Sequence, residues 1–323
     1  MTPSDVARPN LSVVLITPDT FETIRRTTTC IARQSVSSRV ELVIIAPESA
    51  EIDVDQDLIA PLAGVQIVRL RSVTPTGPAR AAAIRAARAP IVAFAEEHCF
   101  PDAGWAAALI EAHRGDYAAI GPAMHNANPE SIVSWADFLV AYGPWAAPIS
   151  KREVDYLPGH NSSYKRDALM AYDDKLDTLM EAETVVMWDL RSKGRRLLLE
   201  PAAFTAHMNF GRWGSWLAVM FFNGRAFADT RASQWSLSKR LAFVVASPLI
   251  PFVRLARTVG HARRVERGPA FLAMVIPTIA VGLTFDALGQ MAGYAAGAGD
   301  AHDKMAAYEW HRMKHIARES ERN

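Results

Sequence analysis

Two adjacent carboxylates and an imidazole, Glu96-Glu97-His98, follow directly on the apolar run Ile91-Val92-Ala93-Phe94-Ala95. Neighbouring acids repel one another, so a folded chain keeps them apart unless a cation or strong donors lie between them. The tripeptide therefore marks either a metal or phosphate site or a well-hydrated turn. Two further segments concentrate polar groups. One is the loop Leu157-Pro-Gly-His-Asn-Ser-Ser-Tyr-Lys165. The other is the acidic pair Glu181 and Glu183, opening a helix expected over Glu181 to Lys193 and stopped by Gly194, where a left-handed cap is expected. Acids at a helix start also arise from macrodipole compensation alone.

The elements that must position these groups read as an alternating series. Leu11–Ile16 is a continuous apolar run of strand length, stopped at Thr17-Pro18-Asp19. A helix is expected over Thr20–Arg33, a buried strand over Val40–Ile45 broken by Pro47, and a third strand over Val65–Leu70. A Thr/Pro/Gly loop, an Ala- and Arg-rich helix over Ala79–Ala89 and the strand Ile91–Ala95 complete the series. Strands alternating with helices predict an α/β fold with a mostly parallel, doubly wound sheet. In such sheets ligands bind beyond the carboxyl ends of the strands, where Glu96-Glu97-His98 falls. Beyond it come a helix over Trp105–His113, a strand near Tyr117–Ile120, and a strand Arg195–Leu199 leading through Glu200-Pro201 to His207.

Composition narrows the classes. Half of the 323 residues are hydrophobic and 21% are charged, which excludes a disordered chain. The net charge of +1 argues against a nucleic-acid binder. Cys30 and Cys99 alone cannot build a disulfide framework or a structural zinc site. Met1–Asn10 lacks the apolar core of a signal peptide. From Leu241 the chain changes character. Leu241–Val253 is uncharged, contains Pro248 and Pro251, and is flanked by Lys239, Arg240, Arg254 and Arg257. Thirteen helical residues reach roughly 20 Å at about 1.5 Å each, short of a hydrocarbon core of about 30 Å, so an interfacial or re-entrant segment is expected. Pro269–Phe285 is longer and continues through Gly289, Gly293 and Gly297, whose spacing resembles a small-residue face for another helix. Arg263, Arg264 and Arg267 lie between the two as anionic-lipid contacts would.

Over Leu11 to Trp213 the order of features resembles the inverting glycosyltransferases of family 2, bacterial and membrane-associated enzymes with a GT-A fold, a Rossmann-like nucleotide-sugar domain. The resemblance is carried by Val13-Val-Leu-Ile-Thr17, by Pro78-Ala79-Arg80, and by the strand ending in Glu96-Glu97-His98 with Pro101 and Trp105 beyond it. Gly159 with Arg166 and Leu169, Glu181-Ala-Glu183, Leu190-Arg-Ser-Lys-Gly194, Pro201 and His207 extend it. It implies a flexible N-terminus over 1–10, a catalytic domain over 11–235, apolar membrane-associated helices over 236–299 and a polar tail over 300–323. The helices would hold the chain at the cytoplasmic face of the cell membrane.

The activity so implied moves a sugar from a nucleoside-diphosphate sugar to a hydroxyl of a glycan or lipid-linked acceptor, assisted by Mn2+ or Mg2+. Glu96, His98 and His207 would hold the cation. Thr17, Pro18, Asp19, Glu48, Arg80, Glu97 and Arg212 would contact the donor, and Gly159, His160 and Asn161 would form the acceptor and sugar loop. Glu183, with Glu181 second, would take the proton from the attacking hydroxyl. The sequence departs from the family where the usual Asp-X-Asp is Glu-Glu-His, and where the acidic turn after the second strand retains only Glu48. These departures motivate an alternative, a non-catalytic protein of the same fold that binds a nucleotide sugar or a partner at the membrane. A Rossmann-type dehydrogenase is disfavoured, because no Gly-X-Gly-X-X-Gly follows the first strand.

Overall fold

Apolar runs without alternation become strands buried on both faces, and Leu11–Ile16, Val40–Pro47 and Ile91–Ala95 show this. In the computed structural model, which describes residues 8–181 and 183–316, β1 (Leu11–Ile16), α1 (Phe21–Ala32), β2 (Val40–Pro47), α2 (Gln56–Ile59), β3 (Gly64–Leu70), α3 (Thr76–Ala86) and β4 (Ile91–Ala95) alternate as expected. Residues 1–7 of the expected flexible N-terminus and 317–323 of the expected tail lie outside the described residues, as does Ala182. The chain divides into two units. One comprises the residues up to His125 with Ile149–Ala206; the other comprises Asn126–Pro148 with the residues from His207 onward.

The first unit carries a nine-stranded mixed sheet in the order β3-β2-β1-β4-β8-β6-β9-β5. Here β5 is Cys99–Pro101, β6 is Ala119–Asn126, β7 is Arg152–Glu153, β8 is Ser163–Lys165 and β9 is Leu197–His207, with β7 paired to β9. Strands β3, β2, β1 and β4 are parallel, in a register that sets Leu15 beside Ala95 and Ile44. β8 runs antiparallel between β4 and β6. The loop Leu157–Lys165 is thus partly a strand, hidden in the sequence because three residues, Ser163-Tyr-Lys, show no period. β9 continues the expected Arg195–Leu199 strand through Pro201 to His207. β7 pairs with Leu198 and Leu199, while Asp102 N–H donates to Phe204 O at 3.0 Å, so Pro201 lies between the stretches of β9 that meet these two partners.

Helix α1 and α4 (Trp105–Ala112) bury Phe21, Ile24, Trp105 and Leu109 against Leu11, Val13 and Leu15, each such side chain stabilising by roughly 1.5–3 kcal/mol. One charge is enclosed within the strands. Glu41 of β2 is fully buried and accepts from Ser12 Oγ at 2.6 Å, Gln66 Nε2 at 2.6 Å, Arg88 N at 2.9 Å and the Arg88 guanidinium. Burial pushes its carboxyl up, but these donors together outweigh it and hold Glu41 below the ordinary carboxylate range.

The short helices α6 (Arg166–Met170), α7 (Leu176–Leu179) and α8 (Glu183–Ser192) finish the first unit; Gly194 ends α8 at φ 76°, the expected left-handed cap. The second unit is helical: α5 (Ile132–Tyr142), α9 (Trp213–Ala232), α10 (Leu237–Ala246), α11 (Ile250–Arg264), α12 (Pro269–Ala296) and α13 (Ala301–Glu309). The apolar run judged too short to cross a bilayer is part of a longer element. α10 and α11, joined by a 3-10 turn, form a 28-residue helical stretch, Leu237–Arg264. Pro248 and Pro251 each sit in a first turn, where no N–H is required. Leu237–Arg264 and α12 have mean hydropathies of 1.5 and 1.9, and both are long and apolar enough to span a membrane.

α12 packs along α9 by backbone approach. A Cβ on Gly289 would strike the Phe221 carbonyl, one on Gly293 would strike the Arg225 carbonyl and lie 2.8 Å from Ala228 Cβ, and one on Gly224 would strike the Asp286 carbonyl. The expected small-residue face therefore pairs within the chain. Gly293→Leu must separate the two helices, and thermal unfolding should show a loss of at least about 1–3 kcal/mol. Glu41→Gln should cost about 1–3 kcal/mol at pH 7. Because the native carboxyl titrates below its unfolded value, urea unfolding should show that difference shrinking as pH falls through the folded pKa, below about 4.3.

Candidate active site

The carboxyl end of β4 delivers Glu96 into a tight turn closed by Cys99 N–H on Glu96 O at 3.0 Å. The buried Thr27 hydroxyl of α1 lies 3.1 Å from Glu96 O, 2.9 Å from Glu97 O and 2.9 Å from Cys99 O. One hydroxyl proton shared among three carbonyls fixes this turn against α1. Within it, His98 Nδ1 is 2.9 Å from Glu97 Oε1 and Nε2 is 3.8 Å from Glu96 Oε1. A carboxylate only accepts, so Nδ1 carries the proton and Nε2 the lone pair. Glu97 is buried, and its geometry is that of a residue orienting an imidazole.

Glu96, His98 and Cys99 offer ligand atoms within 4.8 Å of one another. This mixed oxygen, nitrogen and sulfur set fits a divalent transition-metal ion. His207, the last residue of β9, is buried in the second unit, with Nδ1 at 2.8 Å from Asn209 Oδ1. Asn209 Nδ2 donates to Asn126 Oδ1 and His207 O, both at 2.9 Å, which fixes the amide orientation and again assigns the lone pair to the imidazole Nε2.

A second cluster adjoins Glu96. Asn161 Nδ2 donates to Glu96 Oε2 at 2.7 Å, and His160 Nδ1 lies 3.9 Å from Glu96 Oε1. The same His160 nitrogen is 2.5 Å from Arg80 NH2 and 3.5 Å from Glu183 Oε1. Arg80, buried on α3, pairs with Glu183 at 2.6 Å and donates to Met180 O at 3.1 Å. Glu183 is buried at the start of α8, and its Oε2 would be 3.1 Å from a Cβ on Gly159. Glu181 faces elsewhere, its Oε2 accepting from Gly77 N at 2.6 Å. The structure thus brings Glu96, Glu97, His98, Arg80, Gly159, His160, Asn161 and Glu183 into one polar cluster.

The remaining expected residues have partners of their own, and Thr17 follows β1, whose Leu15 lies beside Ala95 of β4. Thr17 and Asp19 are engaged in the turn that starts α1: Thr17 Oγ1 donates to Thr20 O at 2.7 Å, and Asp19 Oδ1 accepts from Thr20 N at 2.6 Å and Thr23 Oγ1 at 2.5 Å. Pro18 lies between them, and Glu48 is exposed just beyond β2. Arg212, in the second unit, precedes α9 and donates to Ile316 O at 3.1 Å. Sequence reasoning passed over Cys99 and Thr27. Cys99 was readable as a ligand only from its adjacency to His98, and Thr27 carries no local signal. A cavity of about 500 Å³ lined by His113, Tyr117, Lys165 and Tyr172 opens at the other, amino end of β4, where burial pushes His113 down to about 3 and keeps it neutral.

Several solved structures are similar at low identity. The mannosyltransferase PcManGT from Pyrobaculum calidifontis in complex with GDP-Man and Mn2+ has 16% identity and a TM-score of 0.46, covering 95% of this chain and 82% of that one. S. aureus TarS 1-349 in complex with UDP has 16% identity and a TM-score of 0.46, covering 91% of each. GalNAc-T7 with UDP, GalNAc and Mn2+ has 14% identity and a TM-score of 0.44 over 63% of this chain, which spans only 44% of that one. No curated protein sequence matches the chain. The sequence model of Glycosyl transferase family 2 matches residues 12–173, half of the chain, from β1 to the residues just beyond α6. By that match the chain belongs to glycosyl transferase family 2.

Proposed function

We propose that the protein is an inverting, nucleotide-sugar-dependent hexosyltransferase, that its acceptor is a hydroxyl of a glycan or lipid-linked molecule, and that it works at the cytoplasmic face of a membrane. The observation that supports this reading is the cluster at the end of β4, where a ligand-type triad of Glu96, His98 and Cys99 adjoins a buried carboxylate, Glu183, held by Arg80. Residues 11–235 would form the catalytic domain and 236–299 the membrane-associated helices.

Glu96, His98 and Cys99 would hold a divalent transition-metal ion such as Mn2+, which when bound would supply positive charge opposite the leaving diphosphate. The chain's own residues do the rest. Thr17, Pro18, Asp19 and Glu48 would contact the nucleoside diphosphate, and Gly159, His160 and Asn161 would border the sugar. The acceptor oxygen attacks the anomeric carbon as the bond to the diphosphate oxygen breaks. The nucleoside diphosphate leaves with the electron pair, the hydroxyl proton passes to Glu183, and direct attack from the opposite face inverts the centre. Arg80 fixes the Glu183 carboxylate in place. Glu181, tied to Gly77, would shape the loop before α8.

The test is calorimetric binding of a panel of nucleoside diphosphates and nucleotide sugars, with and without Mn2+ or Mg2+. Wild type should bind one nucleotide in a metal-dependent manner, and Glu96→Ala should lose that dependence. Metal-independent binding, equal in the two proteins, would remove Glu96 from the cation site. With the donor identified, Glu183→Gln should lower turnover about 10²–10⁴-fold while donor affinity stays within a few-fold. Unchanged turnover would exclude Glu183 as the base.

A further inference from the structure

Leu237, Leu241, Val245 and Leu249 recur at four-residue intervals along α10 and the turn after it, and Phe252 continues the series on α11. All five are between 52% and 80% exposed. This spacing puts them on one side of a helical surface, as an apolar stripe open to the surroundings. Soluble proteins seldom leave so continuous a stripe uncovered. Lys239 and Arg257 are exposed along one border of the stripe, two positions beyond Leu237 and four beyond Val253, and Arg263 is exposed near its end. Apolar side chains bordered by cations match the boundary between acyl chains and anionic headgroups.

The packing argues against a crossing. Lys239, Arg240, Arg254 and Arg257 leave only Leu241–Val253 uncharged within Leu237–Arg264, fewer than the roughly 20 residues a span requires. α12 is longer, but α9 lies against it through Gly224, Gly289 and Gly293. α9 carries Arg225, Asp229 and Arg231; Arg225 Nε donates to Gly297 O at 2.8 Å, and Arg231 NH1 donates to Tyr294 OH at 3.2 Å. Drawing α12 into hydrocarbon would draw these charges with it, at several kcal/mol.

We propose that α10 and α11 form a monotopic anchor lying in the plane of an anionic lipid surface, with the stripe in the acyl boundary, Lys239, Arg257 and Arg263 at the headgroups, and neither 28-residue helical stretch crossing. The proposal rests on the membrane association put forward above and adds its mode and lipid chemistry. The test adds the full chain to preformed vesicles of phosphatidylcholine alone or mixed with phosphatidylglycerol, followed by flotation. Wild type should bind the anionic vesicles roughly tenfold or more tightly than the neutral ones. Leu241→Asp with Leu249→Asp should abolish flotation, and Lys239→Glu with Arg257→Glu should remove the anionic preference; circular dichroism and unfolding midpoints verify that both variants fold. Cysteines introduced at Ala270 and Ala295 should both react with an impermeant maleimide added outside, above the wild-type background of Cys30 and Cys99.

Protection of Ala270→Cys or Ala295→Cys in bound protein would overturn the in-plane mode and leave membrane association standing. Equal binding to neutral vesicles would overturn the headgroup assignment. Failure to float with any vesicle, together with a concentration-dependent dimer lost in Leu241→Asp/Leu249→Asp, would assign the stripe to a second copy of this chain and overturn both readings. None of these readouts depends on sugar transfer.

Discussion

The Arg80 guanidinium meets the electrostatic demand of the whole strand-end cluster. Glu96, Glu97 and Glu183 are three acids gathered within a small, largely buried volume, and Arg80 is the buried cation that pairs directly with one of them. Its planar fork reaches Glu183, His160 and the Met180 carbonyl together, which an ammonium on a flexible stem does less well. His160 Nδ1 accepts from Arg80, and the neighbouring Asn161 donates to the Glu96 carboxylate. The 3-10 turn Gly159–Asn161 and the start of α8 are therefore placed around a charge that α3 supplies from about a hundred residues earlier in the chain.

Much of this was legible because the signals are local and strong. The runs at Leu11, Val40 and Ile91 are long, apolar and bounded by Pro or polar residues, and each became a strand within one or two residues of its expected limits. Their parallel register follows from the helices between them, and it puts the end of β1 beside the end of β4. Glu96 and His98 were visible because charge after such a strand has few structural explanations. The short strand β8 was invisible, since its pairing is set by its neighbours and not by its own three residues.

The helical unit shows the same division. Glycines at 289 and 293 announced a close crossing, and the crossing is there, but its partner α9 contributes Gly224, which on its own signals nothing. Counting uncharged residues underestimated the helix around Leu241–Val253, because both prolines lie at segment starts and the backbone continues through them. The interactions of Arg80 and Thr27 had no sequence signature at all, since both depend on side chains meeting across large separations along the chain.

The glycine crossing has a mechanical consequence. Where helices touch through side chains, rotamers give and the pair can slide; where backbones touch, nothing compressible lies between them. α9 and α12 are locked at Gly224, Gly289 and Gly293, and Asp286, beside the first of these, is clamped by Arg254 at 2.6 Å and Gln290 at 2.8 Å. The two helices thus act as one stiff strut. Arg254 ties α11 to α12 at the residue whose carbonyl meets Gly224 of α9, so the three helices converge on one contact point.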